Sequence, residues 1–108
     1  MYGLSKDTDF TFLLRKRLER LVVSPYQAQL HFGSDIEISI EGACELDQQL
    51  ISFEQLKALI GSSVFGVTVQ NKGVMNIVFD NGRRLSILDS NEEYESYQIT
   101  APNIHIIV

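Results

Sequence analysis

The sequence predicts an α+β fold. Two halves, each a helix followed by a three-stranded meander, are closed by a short C-terminal hairpin, and the sheet is mostly antiparallel. Three observations predict it. Apolar and polar residues alternate strictly over residues 26–32 and 35–41, the period of a half-buried strand. Two segments, about 9–16 and 52–60, space their apolar residues for one helical face instead. The meander is also written twice. Phe32, Ile38, Ser39 and Ile40 match Phe79, Leu85, Ser86 and Ile87 at one offset, while Leu14, Leu18, Leu21 and Val23 match Ile60, Val64, Val67 and Val69 at an offset one residue shorter. A one-residue difference in the intervening turn accounts for the change. The 108 residues, 44% of them hydrophobic, suit a single domain with one core. Its halves are about 9–42 and 52–89, with the tail hairpin over 96–108.

The elements follow in order. Asp7, Thr8 and Asp9 offer N-cap oxygens to a helix over about 9–16, whose face is Phe10, Leu13, Leu14 and Leu18. Residues 18–23 turn β-branched and stop at Ser24-Pro25, because proline lacks the amide a ladder needs. In the next strand Ala28, Leu30 and Phe32 face in, while Gln27, Gln29 and His31 face out. After Gly33-Ser34, Ile36, Ile38 and Ile40 face in and Asp35, Glu37, Ser39 and Glu41 face out. Residues 42–51 read as a polar connection. Ser52 with Gln55 forms a capping box for a helix bearing Phe53, Leu56, Leu59 and Ile60, which Gly61 ends. Residues 63–70 form a strand with Phe65, Val67 and Val69 on one face, followed by a turn at Asn71-Lys72-Gly73. Two further strands flank Asp80-Asn81-Gly82, where a tight primed turn needs the positive φ that Asn and Gly tolerate. A capping box at residues 90–93 predicts one helical turn over 91–95. The tail strands flank Pro102-Asn103, and the apolar end pairs with a sheet edge.

Charge is uneven along the chain. The net charge is −5; residues 1–24 hold five cations against three carboxylates, and the rest four cations against eleven. An acidic body disfavours nucleic acid and anionic membranes and attracts basic proteins. One cysteine, Cys44, excludes an internal disulfide framework. No basic region followed by an apolar run opens the chain, and no apolar run approaches bilayer length, so the expected compartment is the cytoplasm.

Catalytic and metal chemistry find no motif. His31 and His105 show no metal-ligand spacing, and Cys44 lies beside Glu45, whose charge raises a thiol pKa. Ser39 and Ser86 occupy equivalent strand positions rather than a nucleophile elbow. The glycines sit at turns, with no phosphate loop among them. Arg15, Lys16, Arg17 and Arg20 suit the C-terminal end of a helix better than a nucleic-acid patch on an acidic protein. The expected protein is therefore not an enzyme and has no cofactor or metal. The carboxylates are the candidate partner-binding residues: Asp35, Glu37, Glu41, Glu45 and Asp47, with Glu92, Glu93 and Glu95 at the equivalent place in the second half. The second meander's outer face, with Val74, Val78 and Leu88, is expected to be covered by the chain itself; the alternative is a partner surface or a face on which copies of the chain associate. The expected state is a monomer or weak dimer.

Four stretches carry a family resemblance: Phe12-Leu-Leu-Arg-Lys-Arg-Leu18, Tyr26-Gln-x-x-Leu30-x-Phe32, Phe79-Asp-Asn-Gly-x-x-Leu85-x-Ile87 and Tyr94-Glu-Ser-Tyr-Gln-Ile99. Together they resemble a family of small uncharacterised bacterial proteins, over most of the chain. Members of that family often end in a glycine-rich segment and a tryptophan, which this sequence lacks. The resemblance implies no enzymatic role and no site residues. In type, such small acidic proteins are similar to immunity proteins of polymorphic toxin systems. That similarity implies a basic toxin domain, such as a nuclease, as partner. The alternative is a homo-oligomeric scaffold.

Overall fold

Alternating sequence becomes strand in both meanders. The computed structural model describes residues 9–33, 35–70, 73–88 and 96–108. Its ten strands are β1 (Leu18–Val23), β2 (Ala28–Phe32), β3 (Ile36–Ile40), β4 (Cys44–Leu46), β5 (Gln49–Leu50), β6 (Val64–Val69), β7 (Met75–Phe79), β8 (Arg84–Ile87), β9 (Tyr97–Ala101) and β10 (Ile104–Ile107). They form two five-stranded antiparallel sheets, ordered β1-β2-β3-β9-β10 and β5-β4-β8-β7-β6. The inward residues of both enter one core, in which Phe32 stacks on Phe79 with ring centroids 6.4 Å apart.

The class is therefore mostly antiparallel β, which corrects the expected α+β fold. Both expected helices shrink to 3-10 segments, Thr11–Leu13 and Phe53–Leu59. A single-faced helix this short is marginal, because nucleation is costly and few hydrogen bonds repay it. Strand-like pairing wins the next residues instead: the Arg15 amide donates to the Val64 carbonyl at 2.8 Å, and the Val64 amide to Lys16 at 2.8 Å. Leu14 and Ile60, expected on helix faces, are left 38% and 45% exposed. The capping residues still act locally, since the Ser52 amide donates to Gln55 Oε1 at 3.0 Å.

The halves are not helix-plus-meander units either. Residues 42–51, expected as a connection, contain the hairpin β4–β5, with Cys44 and Leu46 buried. That hairpin joins the other half's meander through β8, and the tail hairpin β9–β10 joins the first meander through β3. Each sheet is thus one meander plus the hairpin from the opposite half.

The two sheets follow one pairing pattern. Leu18↔Phe32 and Arg20↔His31 flank a bulge at Glu19; Val64↔Phe79 and Gly66↔Val78 flank a bulge at Phe65. Ile40 pairs with Tyr97, as Ile87 pairs with Cys44. Arg17 bridges to Ser63, where the two sheets meet at a pseudo-two-fold axis. The hydrogen bonds around it come in reciprocal pairs: Val64 to Lys16 matches Leu18 to Ser62, and Arg15 to Val64 matches Gly61 to Leu18.

Two local details also differ from expectation. Phe65 does not share a face with Val67 and Val69. The bulge turns it out, 75% exposed. In the β7–β8 turn only Gly82 has positive φ (86°), and Phe79 closes on Arg83 around three residues. This is the three-residue hairpin loop with a left-handed glycine, not a two-residue primed turn. The helical turn expected over 91–95 lies outside the described residues.

Candidate protein-docking surface

The carboxylates expected to bind a partner divide between the two sheets. β3 is the middle strand of its sheet, and its odd-numbered residues face away from the core. Asp35 and Glu41 are exposed at its two ends, and Glu37 is half-buried between them. Six residues of extended chain place Asp35 and Glu41 roughly 20 Å apart. Glu45 lies on β4 in the other sheet, half-buried and opposite Ser86. Asp47 is in the β4–β5 turn. Glu92, Glu93 and Glu95 lie outside the described residues.

Two of these carboxylates have partners within the chain. Ser39 Oγ donates to Glu37 Oε2 at 2.8 Å, and His31 Nε2 lies 3.6 Å from Glu37 Oε1. This arises because β2 pairs His31 directly with Glu37. At 3.6 Å the imidazole is beyond hydrogen-bond reach, and Nε2 is buried with no hydrogen-bond partner. His31, Asp35, Ile36, Glu37 and Thr100 border a hollow of about 270 Å³. Asp47 accepts the Arg84 amide at 3.0 Å and the Arg83 guanidinium. Those hydrogen bonds, the amide first, hold its carboxyl below the usual range. Asp47 therefore ties the β4–β5 turn to β8, while Asp35 and Glu41 have no ion pair among the described residues.

The candidate nucleophile and bases are not gathered into one site. Cys44 points into the core, and burial pushes its thiol up to about 11, so it is protonated at neutral pH. His31 and His105 share one cross-strand row of the outer face, on β2 and β10. Three strand spacings separate them, roughly 14 Å, too far for one acid–base pair. Ser86 Oγ, on the other sheet, bonds Asn76 Oδ1 at 2.6 Å and is buried. Among the described residues no group of three or more His, Cys, Asp or Glu is placed to hold a metal. No described helix is long and apolar enough to cross a membrane.

On the second meander's outer face, Val74, Val78 and Leu88 are all half-buried. Sequence reasoning missed Gln98 and Thr100, which β9 brings beside Ser39 and Glu37. No local signal marks that insertion, because the pairing of β9 with β3 joins strands far apart in the chain.

A family model matches residues 13–108: the family of unknown function DUF6188. Comparison with curated proteins and with solved structures gives no match.

Proposed function

We propose, on the premise that this chain belongs to the family of unknown function DUF6188, that it is a non-enzymatic binding protein docking a basic protein partner. One observation carries the reading: Asp35 and Glu41 stand exposed at the two ends of the central strand β3, with Glu37 between them. A row of outward carboxylates on a rigid sheet, in a chain of net charge −5, favours encounter with a positive surface. The specific form of the proposal is an immunity protein that neutralises a basic toxin domain, such as a nuclease, by occupying its active surface. A nuclease surface is basic because it binds phosphate, so an acidic inhibitor and a nucleic-acid substrate compete for it. The separation of His31, His105 and Cys44 supports binding over catalysis.

The test is co-expression with the product of the adjacent upstream reading frame. The expected result is co-purification of the pair and suppression of toxicity. Asp35→Lys with Glu41→Lys, neither tied by an ion pair in the described structure, should slow association about tenfold or more and flatten its salt dependence. Tight, salt-insensitive binding by that double variant would remove the acidic-docking reading.

A further inference from the structure

Among the described residues one buried side-chain polar atom has no hydrogen-bond partner: Nε2 of His31. Such an atom costs free energy and calls for an explanation. Its setting follows from the strand register. β2 places His31 directly opposite Glu37, and Glu37 gives one carboxylate oxygen, Oε2, to the Ser39 hydroxyl, which donates to it at 2.8 Å. The other oxygen, Oε1, stops 3.6 Å from Nε2, and a shift of about 0.5 Å would close that gap to a hydrogen bond. The two side chains are 21% and 35% exposed, and a hollow opens beside them, bordered also by Asp35, Ile36 and Thr100.

The charged and titratable groups around the imidazole come from two neighbouring strands. β1 contributes Glu19 and Arg20, which stand at its bulge opposite His31 and are exposed. β3 contributes Glu37, and Asp35 just before it. Beyond Glu37, β9 places Thr100, which does not titrate. His105 lies one strand further out on β10, with Gln98 Oε1 3.2 Å from its Nε2.

We propose that His31 is a proton-operated control on the acidic docking surface: on gaining a proton it pairs with Glu37, cancels the middle charge of the row Asp35, Glu37 and Glu41, and so weakens association with a basic partner in mildly acidic solution. The proposal rests on the docking reading above, whose charged row it regulates. Histidine is the side chain whose charge ordinarily changes in that range. While the imidazole is neutral, Glu37 presents its full charge. The added proton comes from solvent and makes both ring nitrogens donors. Nε2 then donates to Oε1 in a charge-assisted bond, while Oε2 keeps the Ser39 hydroxyl. The pair carries no net charge, so a cationic partner meets only the two carboxylates at the strand ends. A rise in pH returns the proton to solvent and restores the row.

Two measurements test it. In the protein alone, nuclear magnetic resonance should show the Glu37 carboxyl carbon and the His31 ring nitrogens moving together as the pH falls from about 8 to about 5.5. His31→Gln should remove that movement of Glu37. The second measurement is the binding of acetylated hexalysine at low ionic strength, a probe whose side chains stay charged throughout. Wild-type affinity should fall about threefold or more between the two pH values. His105→Gln should keep that ratio, and His31→Gln should lose most of it. Glu37→Gln should bind weakly at both, because the middle charge is absent throughout. A Glu37 signal that ignores His31, or the same affinity ratio in wild type and His31→Gln, overturns the control by His31 and leaves the docking surface standing. No hexalysine binding at either pH overturns the docking surface and the control together, so the two failures are told apart.

Discussion

At the residue scale, the pseudo-two-fold axis exposes a strain that the chain carries on one side only. Arg15 and Gly61 are equivalent: each follows a 3-10 segment and donates across the axis, Arg15 to Val64 and Gly61 to Leu18. Both have positive φ, 67° and 94°. Glycine adopts that region freely, whereas an L side chain crowds the carbonyl that follows. Arg15→Gly should therefore raise stability by about 1 kcal/mol, a thermal midpoint about 4 °C higher. An unchanged or lower midpoint would mean that the Arg15 side chain makes compensating contacts. Arg15 also shows the limit of sequence reading at this scale. Its run of cations looked like the end of a helix, and only the pairing across the axis reveals a left-handed turn.

At the element scale, the tail hairpin is a structural member of the first sheet. Tyr97 is fully buried, sits opposite Ile40 on β3, and donates its hydroxyl to the Gly73 carbonyl at 2.7 Å. That bond ties β9, in one sheet, to Gly73, two residues before β7 in the other. Tyr97→Phe keeps the ring and leaves the buried carbonyl short of a donor, so it should cost about 1–3 kcal/mol in urea unfolding. A loss within about 0.5 kcal/mol would mean that water replaces the hydroxyl. The alternation of residues 26–32 and 35–41 was legible because period-two patterning is local. The β4–β5 hairpin was not legible, since Glu45, Asp47, Gln48 and Gln49 read as polar linker. Cys44 and Leu46 are its only inward side chains, and Asp47 and Gln48 reach positive φ (52° and 71°) without a glycine to mark the turn.

At the scale of the whole molecule, the exchange of hairpins makes each half depend on the other. Residues 1–51 contain the β1–β3 meander and the β4–β5 hairpin, whereas 52–108 contain β6–β8 and β9–β10. Each meander finds its fourth strand only in the other piece. The two pieces made separately should lack native near-ultraviolet circular dichroism, and an equimolar mixture should regain it. Cooperative native-like unfolding of 52–108 alone would show instead that a half can fold with its own hairpin.

The candidate surface divides along the same line. That Asp35, Glu37 and Glu41 lie outward on one strand follows from alternation, and was available from the residues alone. That Glu45 belongs to a different sheet and that Asp47 is tied to Arg83 depends on partners brought in from elsewhere. By itself the sequence determined the inward and outward faces of the meander strands, their order and the acidic balance. These are properties of neighbouring residues and of their sum. Only the tertiary structure decided the class and the exchange of hairpins. Long-range pairing competes with weak local helix preference for the same backbone groups. In segments this short, the strand hydrogen bonds and the shared core outweigh what the local pattern offers.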